Sequence, residues 1–212
     1  MVKLYNKDCM KVFKQIKSES VDLVVTDCPY HISHTGTSKL SGIFSNDNEY
    51  VHTGGIFKFN DIKFSDWVPE IYRILKPDTH AYLFINDLNY CELKEEALKA
   101  GFRYQNTLIW KKQNLVPNRF YMKQFELVLL LRKGKARMIN NPSSSNIISI
   151  NNPVGCKNHP TEKPVELNRI FIENSTNPGD LVCDPFMGGG SCGIACDETG
   201  RKFIGIEIDK KY

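Results

Sequence analysis

The chain has 212 residues, 41% of them hydrophobic, enough to enclose one substantial core in a globular domain. Its longest strongly apolar stretch, Phe125 to Leu131, is far short of the ~20 residues a membrane helix needs, and no apolar run follows the charged N-terminus to form a signal peptide. On these grounds neither a membrane role nor export is expected, and the expected location is cytoplasmic; the formal charge of +4 is modest.

In chain order, Val2 to Tyr5 reads as a strand, Cys9 to Lys17 as a helix, and Val21 to Thr26 as a strand apolar on both faces. Such strands belong inside a mostly parallel sheet covered by helices. His31 to Ile62 is rich in Ser, Thr, Gly and Asn without periodicity, and a loop of that length reads as a flexible loop or lid. Asp66 to Leu75 and Leu88 to Ala100 read as helices around the strand His80 to Asn86, with Gly101 at a C-terminal cap position. Thr107 to Trp110 and Phe125 to Arg132 are further strands. Gly134 to His159 is again polar and aperiodic, and reads as a small target-recognition segment. Lys163 to Asn174 is helical, Leu181 to Asp184 a strand, Ser191 to Thr199 a helix ending before Gly200, and Phe203 to Ile208 the last strand. Seven strands alternating with helices predict a single doubly wound α/β domain over residues 1–212.

Positive charge gathers between residues 111 and 137, where Lys111, Lys112, Arg119, Lys123, Arg132, Lys133, Lys135 and Arg137 stand against Glu126 alone. With Trp110, Phe120, Tyr121 and Phe125 interleaved, the tract fits a nucleic-acid surface as well as a plain solvated face. Its candidate phosphate ligands are Lys111, Lys112, Arg119, Lys123, Lys133, Lys135 and Arg137. The seven cysteines form no CxxC pair, and their odd number fits reduced thiols. Cys156 with His159, and Cys192 with Cys196, are the best metal candidates, but small buried residues explain them better and no metal is expected.

Two turns carry chemistry. After Leu181 to Asp184 comes a glycine-rich turn, Pro185 to Gly190, leading into a helix. Gly188, Gly190 and Gly193 satisfy GxGxxG, and Glu207 ends the following strand where an acid can accept ribose hydroxyls. Asp184 at this turn would repel a pyrophosphate but attract an ammonium or sulfonium, which favours S-adenosylmethionine over a dinucleotide. The second turn, Asp27-Cys28-Pro29-Tyr30, ends a strand and should face the first across the ligand crevice. A carboxylate and a carbonyl accepting both hydrogens of an exocyclic amine would localise its lone pair; Asp27 and the Cys28 carbonyl can do this. Tyr30 then offers a face on which a flipped base can stack.

Asp27-Cys-Pro-Tyr30, His159-Pro-Thr-Glu-Lys-Pro164, Asp184-Pro-Phe-Met-Gly-Gly-Gly190 and Ile204-Gly-Ile-Glu207, in this order, resemble the β class of amino-group DNA methyltransferases. The layout is most similar to short phage and prophage enzymes. The resemblance implies a Rossmann-like fold with a mostly parallel seven-stranded sheet containing one antiparallel strand, S-adenosylmethionine as cofactor, and double-stranded DNA as partner in a prokaryotic or phage-infected cell. It implies base flipping and direct transfer to adenine N6, with cytosine N4 as the alternative and an RNA or protein-glutamine amide as the next. It implies Asp27, Cys28, Pro29 and Tyr30 as the catalytic set. Asp8 is implied at the cofactor adenine, Glu207 at the ribose and Lys163 at the methionyl carboxylate; Asp184, Phe186, Gly188, Gly190 and Ser191 form the methionine turn beside Asp27. Cys28 stands where the family usually has Pro, and Gly189 where Ser is common. The chain stops at Tyr212, where relatives continue into a helix. A second subunit would help so small a recognition region. A non-catalytic binding module is the remaining alternative.

Overall fold

The computed structural model describes residues 1–30, 62–116, 120–135, 137–151 and 162–211. The expected lid at 31–62 (save Ile62), Arg119, and the Cys156 and His159 pair lie outside the described residues.

The elements follow as β1 (Val2–Asn6), α1 (Cys9–Phe13), β2 (Val21–Asp27), α2 (Phe64–Ile74), β3 (Leu75–Ile85), α3 (Tyr90–Lys99), β4 (Arg103–Val116), β5 (Lys123–Arg132), β6 (Ile147–Ser149), α4 (Val165–Ser175), β7 (Leu181–Asp184), α5 (Ser191–Glu198) and β8 (Lys202–Glu207). All seven expected strands are present. The expected count is corrected to eight by β6, three residues among Ser and Asn that are too short to show a period.

The strands form one sheet in the order β1-β8-β7-β2-β3-β5-β4-β6. Strand β5 is antiparallel to both neighbours, β3 and β4, and every other pairing is parallel. Successive side chains of a strand point to opposite faces, so the central strands feed two cores. Val24, Ala81, Leu83, Leu129 and Leu131 pack with Val12, Trp67, Ile71 and Leu93 of α1, α2 and α3. Leu23, Val25, Tyr82, Phe84, Val128 and Leu130 pack with Leu167, Phe171, Ala195 and Cys196 of α4 and α5 on the other face. Continuous apolarity in β2, β3 and β5 is therefore the direct consequence of burial on both sides. Cys192 and Cys196 are 2% and 0% exposed within this second core, as small apolar residues.

Helices α3 and α5 end as their glycines predict. Gly101 and Gly200 have φ of 104° and 72°, and the next amides, Phe102 and Arg201, return to the carbonyls of Ala97 and Cys196 at 3.0 and 2.8 Å. These bonds satisfy carbonyls that the helix ends would otherwise orphan.

Strand order reverses between β2 and β7: β2 connects onward to β3 on one side, β7 to β8 on the other. Such a switch point opens a crevice at the carboxyl ends of the strands. Asp27 and Asp184 each end one of the two strands that flank it.

Candidate active site

The ends of the two strands that carry the predicted turns are joined at the crevice. Thr26 Oγ1 donates to Asp184 Oδ1 at 2.6 Å, and the Phe186 amide donates to the same oxygen at 3.1 Å. Asp184 is buried, and that burial pushes its carboxyl up to about 7 despite the two donors, with Asp27 and Glu207 adding repulsion. A cationic ligand would restore its charge.

The glycine turn is shaped by its neighbours. Gly188 and Gly190 have φ of 51° and 83°, and nothing lies within 4 Å of where a Cβ on Gly190 would stand. The backbone there faces open space that a ligand can enter. Gly193 instead touches the sheet: a Cβ would lie 2.8 Å from the Phe203 ring, so this glycine permits close packing of α5 on β8. Glu207 fixes the turn from the next strand, accepting from the Gly188 amide and the Asp209 amide, both at 2.8 Å. Asn6 pairs with Glu207 across β1 and β8, so Asp8 follows directly beyond Glu207. Its carboxylate accepts from the Met10 amide at 2.8 Å and caps α1. Phe186 meets Trp67 edge to face at 5.1 Å. Ser191 is buried and accepts from Asn168 Nδ2 at 3.1 Å, tying α5 to α4.

Across the crevice, the Cys28 amide donates to the Phe84 carbonyl at 3.2 Å and holds the Asp27–Tyr30 turn against β3. Cys28 is 3% exposed. Burial, with Asp27 and Asp184 nearby, pushes its thiol far up, so it stays protonated. Tyr30 is half-buried, its hydroxyl pushed up to about 12 by burial and by Asp27.

Lys163, just before α4, reaches Asp27 Oδ2 at 2.5 Å and Glu126 Oε2 at 3.3 Å. Lys112 holds the other Glu126 oxygen. Burial opposes the charge on Lys163, but Asp27 and Glu126 outweigh it and raise its pKa. Burial also works against ionised Glu126, yet Lys163 and Lys112 hold its carboxyl below the usual range. Glu126 is a site residue that sequence reasoning missed. It stood out only as the lone acid of a basic tract, and that anomaly was the available signal.

The basic tract splits in two. Because β5 runs antiparallel, Lys111, Lys112 and Lys123 lie toward the crevice end, while Lys133, Lys135 and Arg137 follow its opposite end, where Arg132 pairs with His80. Val128 is level with Asp27 through Phe84, so Lys133 sits on the order of 17 Å further along the strand. Its expected phosphate role is corrected. Lys133 is 8% exposed and donates to the Tyr72 and Leu75 carbonyls at 3.0 and 2.7 Å. Lys135 is exposed and Arg137 half-buried at that same far end, remote from the crevice. Trp110 is likewise corrected as a surface aromatic, being 2% exposed with Nε1 donating to the Ile150 carbonyl at 2.9 Å. Phe120, Tyr121 and Phe125 are exposed, 85%, 90% and 51%, beside the crevice end of the β4–β5 ribbon. Lys123 pairs with Asp87 at 3.0 Å, and Lys111 is exposed. No cluster of His, Cys, Asp and Glu able to hold a metal occurs among the described residues.

A family model described as DNA methylase, covering adenine N6 and cytosine N4 enzymes, matches residues 21–212. The chain is 27% identical to Type II methyltransferase M2.DpnII of Streptococcus pneumoniae, over 99% of this chain and 85% of that protein. It is 28% identical to Type II methyltransferase M.HpaI of Haemophilus parainfluenzae, over 99% of this chain and 71% of the other. Among solved structures, the M1.HpyAVI–SAM complex superposes with a TM-score of 0.75 at 26% identity, covering 100% of this chain and 96% of the other. The cytosine-N4-specific PvuII DNA methyltransferase shares the fold, with a TM-score of 0.75 at 17% identity over 98% of this chain and 82% of the other.

Proposed function

The chain belongs to the N6/N4 DNA methylase family, and from that premise we propose that it is a site-specific methyltransferase that modifies adenine N6 in double-stranded DNA. The observation that carries this reading is that Asp27 and Asp184 end neighbouring strands at one crevice, where Thr26, the residue before Asp27, donates to the Asp184 carboxylate at 2.6 Å. S-adenosylmethionine, when bound, supplies an electrophilic methyl group on a sulfonium. The residues present suit it: Asp184 offers a buried carboxylate to its cationic centres, Gly190 an open approach, and Glu207 and Asp8 acceptors for sugar and base.

The chain's own part in transfer is to grip the amine. Asp27 and the Cys28 carbonyl accept its two hydrogens, turn the nitrogen lone pair toward the methyl group and stabilise the charge that develops. Tyr30 is positioned beside them as a stacking wall for the extruded base. Lys111 and Lys123, together with Phe120, Tyr121 and Phe125, form the surface that meets the strand, the cations on phosphates and the rings on unstacked bases, while Lys112 is held inward by Glu126 and so does not serve the phosphates. The segment 134–159 reads the target sequence in this proposal. Adenine is favoured over cytosine because Asp27 heads the catalytic turn, where resemblance to the family associates Ser with cytosine N4 enzymes. Sequencing genomic DNA with modification detection, from cells expressing the chain, tests all of this at once. N6-methyladenine at one short recurrent sequence is expected; unmodified DNA overturns the reading, and N4-methylcytosine overturns the choice of base.

Direct transfer needs no covalent enzyme intermediate. Cys28→Ala is expected to retain activity within about threefold in kcat, since only its carbonyl is used and its buried thiol stays protonated. Complete loss of methyl transfer, measured with labelled cofactor, would instead point to a thiolate nucleophile.

The raised pKa of Asp184 fixes a pH dependence. Between about 4, where an unfolded Asp titrates, and about 7, the folded apoprotein holds a proton that the unfolded chain releases. The protonated group's stabilisation is therefore full below that window and is lost as pH rises through it. Urea denaturation should show apoprotein stability falling from pH 5 to pH 7. Asp184→Asn should shrink that fall by on the order of 2 kcal/mol; an unchanged slope would show that another group titrates.

A further inference from the structure

One ammonium serves two carboxylates beside the crevice. Lys163 lies 2.5 Å from Asp27 and 3.3 Å from Glu126, and its side chain is only 10% exposed. Glu126 is held in turn by Lys112 on its other oxygen, and Lys112 lies over the Trp110 ring at 4.7 Å. Charges therefore alternate along a chain of four groups, Asp27, Lys163, Glu126 and Lys112, contributed by β2, the segment before α4, β5 and β4.

The proposed reaction asks Asp27 to accept a hydrogen from the substrate amine, yet Lys163 already holds one of its oxygens. An ammonium this deeply buried cannot leave a carboxylate for nothing, because an unpaired buried charge costs several kcal/mol. Glu126 offers a second counter-ion within 3.3 Å, so Lys163 can shift toward it without losing its pairing. Lys112 keeps Glu126 ionised and ready to receive it. We propose that Glu126 is a positioning residue for methyl transfer, which draws Lys163 off Asp27 and so frees that carboxylate to grip the base amine. This rests on the function proposed above.

The test combines Glu126→Gln, Glu126→Asp, Lys163→Met and the double variant Lys163→Met/Glu126→Gln in the full chain. Single-turnover transfer to target duplex is measured alongside cofactor Kd by calorimetry and thermal unfolding. Glu126→Gln keeps the shape but loses the charge, leaving Lys163 fixed on Asp27. Its transfer rate should fall on the order of 100-fold, while cofactor Kd stays near wild type and Tm falls only modestly as Lys112 loses its partner. Glu126→Asp should recover most of the rate. In the Lys163→Met background the Glu126→Gln change should cost little further rate, because the residue acts only through the lysine.

Wild-type transfer by Glu126→Gln overturns the proposal. So does an equal cost with and without Lys163, or a joint loss of rate, Tm and cofactor binding that Glu126→Asp does not rescue. A wild-type chain that methylates no DNA overturns the functional reading itself, and this proposal with it.

Discussion

Asp27→Ala is expected to lower kcat for methyl transfer by about 100- to 1,000-fold, the usual effect of deleting one preorganised group at a centre of developing charge. The loss should fall on kcat rather than on cofactor binding, because the methionine turn and Glu207 lie on β7 and β8 and keep their own bonds. Folding should also survive. Lys163 retains Glu126 as a partner, so the substitution does not strand a buried cation, the event that usually makes such changes severe. Single-turnover kinetics with labelled cofactor, together with calorimetric cofactor titration, separate the two effects. A variant that binds cofactor normally and still transfers at the wild-type rate would remove Asp27 from the chemistry.

Lys133→Met should act on the fold. The ammonium donates to the carbonyls of Tyr72 and Leu75, pairs with Glu19 at 3.2 Å, and lies 4.7 Å from the centre of the Tyr72 ring. It thus ties the end of β5 to the α2–β3 junction. Methionine fills similar volume but donates nothing, leaving two sheltered carbonyls without their donor, for an expected cost of about 2–4 kcal/mol. In a chain of this size that lowers Tm by roughly 5–15 °C, readable by calorimetry. The salt dependence of DNA binding should not change, since this lysine neutralises no phosphate. A flattened salt slope with an unchanged Tm would reverse the assignment and return Lys133 to the DNA surface.

The contrast between these two residues shows what the sequence carries openly. Asp27 and Asp184 were legible because parallel strands end at one rim, and a motif at a strand's carboxyl end therefore lands in the crevice. The cap positions of Gly101 and Gly200 were legible for a similarly local reason, the left-handed backbone that only the helix end requires. Lys133 and Glu126 were hidden by the one strand that breaks the rule. Residues entering β5 lie at the rim and residues leaving it lie at the opposite end, so a tract that looks like a single basic patch supplies both the site and the far side of the sheet. Charge counting along the chain does not reveal strand direction. Three-residue β6 was hidden for another reason: its pairing comes from the edge of β4, and its own composition is that of a loop.

The outermost long strand bears on how the protein behaves at high concentration. Strand β4 runs for 14 residues, yet among the described residues β6 pairs with only Ile109, Trp110 and Lys111 along its outer side. A rim of this kind is a template for self-association. Here it is studded with exposed Arg103, Gln105, Asn106, Lys111, Gln113 and Asn114, and two copies meeting edge to edge would bring like charges together. Solubility during expression thus depends on polar residues that touch neither cofactor nor core, and exchanging them for β-branched apolar residues would favour aggregation while the fold itself stayed intact.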